Sequence, residues 1–238
     1  MADWAPKRFW SAVEVTEPAE APGRFTVRLD GRPVKTPAKA ALLLPTRAMA
    51  EAVAREWEAQ EGPIRPETMP ATRAANSAID KLSLQAPEVR AMLAEYGGSD
   101  LLCYRVEAPA ALAARQARAW DPQLDWAEAE LGARLSVTVG LMPVAQDHEA
   151  VARLAAPMAA LSDFELAAFH DLVAISGSLV LALAVIRGRL SAPEAFALSR
   201  LDENWQSEQW GRDDEAEAAE ALRREAFLQA DRFFALCR

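Results

Sequence analysis

Apolar positions recur with period two only near the start of the chain. Residues 9–15 alternate, with Phe9, Ser11, Val13 and Val15 on one side, as a half-buried strand does. Residues 25–29 repeat the pattern. Asp30-Gly31 follows and predicts a hairpin, because both central positions of a type I′ turn need positive φ. Residues 32–36 return as the partner strand. Pro33 and Pro37 cannot donate to a ladder, so they place it at an edge or end it early. With the short run at 41–44, the pattern predicts a small antiparallel sheet of about three or four strands.

The period then lengthens to that of a helix. Thr46 is placed to cap a helix carrying Met49, Val53 and Trp57, which Gly62 closes. After a proline-rich stretch, helices are expected over residues 71–82 and 87–96, the latter stopping at Gly97-Gly98. Residues 101–106 fit strand or helix equally. Residues 109–131 have a long helical pattern that Pro122 is expected to kink or split. Residues 135–139 are β-branched and predicted extended. From His148 the pattern is helical to the end, with capping boxes at Ser162/Glu165 and Ser191/Glu194 and a stop at Gly188. The last helix, from about Asp213, sets Ala219, Leu222, Ala226, Ala230, Phe233 and Cys237 on one stripe, which reads as a core face. The fold class expected is α+β: a small N-terminal antiparallel-sheet domain over residues 1–97, then a larger all-helical domain over residues 98–238.

Composition narrows what such a chain does. The formal charge of −9 argues against non-specific binding to nucleic acid and against docking on an anionic membrane. The most apolar stretch, 172–186, is too short for a comfortable membrane span and contains Ser176, Gly177 and Ser178, so it reads as a buried core helix. Cys103 and Cys237 form no C-x-x-C pair and suit a reducing compartment. The first ten residues lack the apolar core of a signal peptide and the Arg-rich run of a transit peptide.

No phosphate-binding glycine loop, dinucleotide fingerprint or nucleophile elbow occurs, and no catalytic, cofactor or metal residue is assigned. His148 reads as solvated, and His170, beside Asp171 before an apolar helix, as a buried, hydrogen-bonded histidine. Chemistry gives way to composition in residues 201–217, LDENWQSEQWGRDDEAE, where two tryptophans stand among carboxylates. Large aromatics beside acids suit a surface that grips another protein. Trp205 continues a stripe with Leu198 and Leu201 and is expected in the core, together with Trp57, Trp120 and Trp126. Trp210, at the helix end before Gly211, is expected to be a partly exposed anchor or a turn plug.

Several segments resemble a known family when taken in order. They are Lys7-Arg8-Phe9, LDGRPVKTP (29–37), AREWEAQ (54–60), MPATRAANSAID (69–80), DLLCYR (100–105), QARAWDPQLDW (116–126) and the Trp-Gly stretch itself. Together they resemble the assembly chaperones of F-type ATP synthase, the family that escorts the alpha subunit of the catalytic head. Ala71 and Ser77 depart from the family pattern's Leu and Thr in what reads as a packing segment. The resemblance implies a non-enzymatic, ATP-independent chaperone that binds the free alpha subunit until the beta subunit replaces it. It implies no cofactor, and a β-containing N-terminal domain before a helical one. A bacterial cytoplasmic member, monomeric when free, is expected, with relatives in mitochondria.

The partner surface expected from composition and resemblance comprises Glu208, Trp210, Gly211, Asp214 and Glu215. Arg73, Asn76 and Asp80 form a second polar set whose plainer role is tying the sheet domain to the helical domain. Two other readings stand beside the chaperone: an enzyme with an acid/base carboxylate pair in an interdomain cleft, and a general helical adaptor. Neither accounts for the ordered motifs.

Overall fold

The computed structural model describes residues 7–140, 142–211 and 213–238. The fold is α+β and divides into two compact units. The first contains the described residues up to Ala86 together with Ser162–Ala168 and Arg232–Arg238; the second contains Pro87–Leu161 and Phe169–Asp231.

In the first unit β1 (Val13–Thr16), β2 (Thr26–Leu29) and β3 (Arg32–Pro33) form an antiparallel sheet in that order. The β2–β3 hairpin turns at Asp30 and Gly31, whose φ angles of 47° and 77° are the positive values the dipeptide predicts. The Asp30 carboxylate also accepts from the Ala12 and Ser11 backbone N–H groups, which holds its pKa below the usual range. Pro33 ends β3 after two residues, and single bridges at Lys35–Ala41 and Phe25–Leu44 extend the ladder. The first strand starts later than the alternation suggests. Phe9 is 70% exposed while Trp10 is buried, edge-on to Trp57 at 5.2 Å between ring centroids. That aromatic contact reverses the alternation before β1 begins.

Helix α1 (Arg47–Glu58) starts at Thr46, whose hydroxyl accepts from the Met49 N–H at 3.1 Å. Helix α2 (Pro70–Ser77) has no cap of its own, and the Glu56 carboxylate supplies one. It accepts from the N–H groups of Ala71 and Thr72 at 2.7 and 2.8 Å and from the Thr72 hydroxyl. Burial raises its pKa against those hydrogen bonds. Helix α2 widens into a π turn over Ala78–Leu82, where Asp80 accepts from the Thr36 hydroxyl at 2.6 Å and the Ala38 N–H at 3.0 Å. Both partners lie in the first unit. Asp80 thus pins a turn beside its own sheet and does not tie that sheet to the helical part.

Helix α3 (Ser83–Glu95) kinks at Gln85 and belongs to the second unit from Pro87 onward. Helix α4 (Ala110–Leu131) runs as one helix through Pro122 to Gly132, so of the expected kink or split the split does not occur. Proline removes a donor from the carbonyl four residues back. Pro122 is exposed, so water can serve that carbonyl. This unit is not purely helical, because β4 (Tyr104–Arg105) and β5 (Thr138–Val139) pair in parallel. Helices α5 (His148–Ala155), α6 (Asp163–Ser176), α7 (Leu179–Ile186) and α8 (Ala192–Ser199) follow. The apolar stretch forms two helices rather than one, since Gly177 (φ 69°) ends α6 and the Ser178 hydroxyl caps α7. Every residue from Leu179 to Val185 is buried, so α7 is the centre of this unit's core. Among the described residues no helix is long and apolar enough to cross a membrane.

Candidate partner-binding site

The acidic tryptophan stretch folds as α9 (Leu201–Trp210) and the start of α10 (Asp214–Leu236). Gly211 ends α9 at φ 91°, a value that side chains with a Cβ rarely adopt. The Asp213 carboxylate opens α10 by accepting from the N–H groups of Glu215 and Ala216, at 2.9 and 3.3 Å. Asp214, Glu215 and Glu217 fill the first turn, where the helix dipole favours negative charge.

Helix α9 buries little apolar surface. Leu201 is its one fully buried residue, and Trp205 is half-buried rather than in the core. Polar contacts with α4 take up the task of anchoring it. The Gln116 amide donates to both oxygens of Asp202 at 2.8 and 3.0 Å, while its carbonyl accepts from the Val106 N–H. Arg115, the residue before Gln116, makes two parallel hydrogen bonds to Glu208 at 2.6 and 2.9 Å, and its guanidinium lies 5.9 Å from the Trp205 ring. The Arg115 hydrogen bond holds the Glu208 carboxyl below the usual range. Of the other tryptophans expected in the core, Trp120 is buried, its indole N–H donating to the Leu198 carbonyl at 2.9 Å; Trp57 and Trp126 are half-buried.

Glu208, Trp210, Gly211, Asp214 and Glu215 all fall on the α9–α10 junction, and they differ in state. Glu208 is engaged by Arg115. Trp210 is 81% exposed, and Asp214 and Glu215 are exposed on the first turn of α10. The junction therefore offers a bare aromatic ring flanked by carboxylates. Sequence reasoning missed the anchors Arg115 and Gln116. Gln116 opens the segment QARAWDPQLDW, but nothing in its spacing shows that its amide faces an aspartate 86 positions later.

The carboxylates that burial shifts most serve as caps. Glu56 opens α2. Asp100, fully buried, accepts from the Leu102 and Val180 N–H groups, and burial raises its pKa to about 6. Neither lines the cavity of about 380 Å³ beside the end of α1, which is formed by Gln60, Glu61, Arg65 and their neighbours. His148 is exposed at the start of α5, and His170 is bonded to Asp171 at 3.0 Å as expected but is half-exposed rather than buried. Among the described residues, no group of three or more His, Cys, Asp or Glu side chains is placed to hold a metal ion.

A family model described as ATP12 chaperone protein matches residues 7–128. The chain belongs to the ATP12 chaperone family. This is the ATP synthase assembly-chaperone family that the ordered motifs indicated. Crystal structures of Atp12 from Paracoccus denitrificans and of a point mutant of it are each 51% identical, with a TM-score of 0.92 and 98% of both chains covered. The Atu1473 protein of Agrobacterium tumefaciens is 41% identical with a TM-score of 0.93, covering 98% of this chain and 87% of that one. Protein atp12, mitochondrial, of Schizosaccharomyces pombe is 26% identical over 219 residues, 86% of this chain and 74% of that protein. The family match ends within α4, so α9 and α10 lie beyond it, whereas the matches to ATP12-family crystal structures span nearly the whole chain.

Proposed function

We propose that this chain is an ATP-independent chaperone that binds the free alpha subunit of the F-type ATP synthase head in the bacterial cytoplasm. It holds that subunit soluble until the beta subunit takes its place. Membership of the ATP12 family supports the reading. The structural observation that carries it is Trp210, an 81% exposed indole set among carboxylates. A subunit made alone exposes surface meant for its neighbours, and apolar patches of that kind aggregate. Covering them reversibly needs an apolar contact with a charged rim that steers encounter. The beta subunit then displaces the chaperone by mass action, because its interface is larger and the product is a closed ring.

The working surface is Trp210 with Asp214 and Glu215, shaped by the turn at Gly211, with Glu208 held beside it. The test is co-expression with the alpha subunit followed by gel filtration. The two proteins should co-elute, and added beta subunit should disperse the complex. Trp210→Ala should weaken capture at least about tenfold, the scale of an interface tryptophan. Insoluble alpha subunit with this chain eluting alone would remove the reading. Unchanged client solubility after charge reversal of Glu208 and Asp214 would move the surface elsewhere.

A further inference from the structure

Strand β5 is paired along one edge only. Gly140, which follows it, donates to the Arg105 carbonyl at 2.8 Å, while the N–H groups of Tyr104 and Val106 are taken by the Leu101 carbonyl and the Gln116 side chain. β5 therefore meets β4 through Thr138 and Gly140. Before β5, the Gln146 amide continues that paired edge. It accepts from the Ser136 N–H at 2.7 Å and donates to the Ser136 carbonyl at 2.9 Å. Backbone groups of successive residues in an extended strand point to opposite edges, so those of Val137 and Val139 face away from β4. Among the described residues nothing hydrogen-bonds to them. Their side chains, two residues apart, share one face and are 44% and 61% exposed.

An open edge is a template for another strand, and proteins commonly blunt one with a charge or a proline. Residues 135–142 contain neither, and no charged residue occurs between Arg134 and Asp147. The chemistry of the edge limits what can cover it. A row of outward N–H and C=O groups is matched by extended backbone. A helix uses its own groups internally. Lipid and nucleic acid offer no alternating donors and acceptors at strand spacing. A second copy could supply a strand, but each copy carries −9, and the uncharged edges hold nothing to offset the repulsion between them. What remains is an extended, apolar segment of a different protein, and a subunit awaiting its neighbours exposes apolar surface of that kind.

We propose that the Val137–Val139 edge of β5 is a strand-docking site, and that it takes an extended, apolar segment of the client as a third strand beside β4 and β5. The proposal rests on the chaperone reading above and names the kind of client element that this edge grips. The outward N–H and C=O groups of Val137 and Val139 pair with the client backbone. The two valine side chains meet the client's side chains on their shared face. Gly140, at φ 86°, then turns the chain, so few hydrogen bonds form. A contact that short is weak by itself and reversible, as replacement by the beta subunit requires.

The test uses the full chain and the alpha subunit, with amide exchange read residue by residue. In the complex the Val137 and Val139 amides should exchange at least about tenfold more slowly than in the chain alone. The Gly140 amide, already bonded to Arg105, should change little. Val139→Pro removes one outward donor, leaves the ladder with β4 in place and should reduce alpha-subunit capture at least about tenfold. Val139→Lys keeps the donor but charges the edge, and should reduce capture as well with the melting temperature unchanged, because the position is exposed. A photo-crosslinking phenylalanine analogue at position 137 should form an adduct on an extended segment of the alpha subunit. The same analogue at Leu84, 79% exposed in the first unit, should form none. If the unaltered chain captures the alpha subunit but the two valine amides exchange as before, or both variants capture it equally, the edge is overturned and the chaperone reading survives. If the unaltered chain captures no alpha subunit, both fall. Sedimentation as a dimer that Val139→Lys dissociates would assign the edge to a second copy and overturn the proposal. An adduct on a helical client segment would overturn it as well.

Discussion

A single carboxylate, Asp100, shows how burial and hydrogen bonding compete at the scale of one residue. It is fully buried, it receives backbone N–H groups from two segments of the second unit, and burial lifts its pKa from 3.8 to about 6. Its neighbour Cys103 is pushed up to about 12, by burial first and by Asp100 second. Because the folded-state pKa lies above the unfolded one, the native state holds this proton more tightly. The group's contribution to stability is full below pH 3.8 and is lost as the pH rises through about 6. The free energy involved is about 3 kcal/mol at most. Urea unfolding of the wild type and Asp100→Asn at pH 4 and pH 7.5 isolates it. The wild type should lose stability relative to the variant between the two pH values. A pH-independent difference would show that the N–H groups fully offset the burial.

Elements are held by different means, and α9 is the odd one out. Most helices of the second unit are fastened by buried apolar faces, α7 by nearly all of its residues. Helix α9 has Leu201 and a polar ladder from Gln116 and Arg115. Arg115→Ala should therefore raise amide hydrogen exchange across residues 201–210 several-fold while leaving α4 protected. Arg115→Lys should restore only part of the protection, since a lysine cannot form two parallel bonds to Glu208 or set a guanidinium over Trp205. Exchange unchanged in both variants would mean that Leu201 and the flanking turns suffice. The elements themselves were largely legible in the sequence: the Asp30-Gly31 hairpin, the Thr46 cap and both capping boxes form as their residue types require. The misreadings share a cause. Periodicity shows which face of a helix is apolar, but it does not show whether the chain itself covers that face. Trp205 and the stripe at Ala219, Leu222 and Ala226 look like core by spacing and lie half or fully in water. Pro122 looked like a kink or a split because its solvent-facing side could not be known.

For the whole molecule the decisive quantity is where the charge sits. Most of the net negative charge falls in residues 201–220, beside the exposed Trp210 and Leu222. Under the proposed function, a surface of that kind attracts its client at long range and grips it at short range. Raising ionic strength from about 0.05 to 0.5 M shortens the Debye length to a few ångströms. Measured capture of the alpha subunit should then slow at least several-fold in association rate, with dissociation little changed. A salt-independent association rate would assign capture to apolar contact alone. The division into units has a consequence in time. The first unit is completed by residues 232–238: the Thr46 hydroxyl, at the head of α1, donates to the Leu236 carbonyl, and Arg238 pairs with Glu165 at 3.1 Å. Those residues leave the ribosome long after the sheet they complete. The β-sheet is translated well before the segment that completes its unit, so deleting residues 232–238 would damage packing encoded far upstream of the cut.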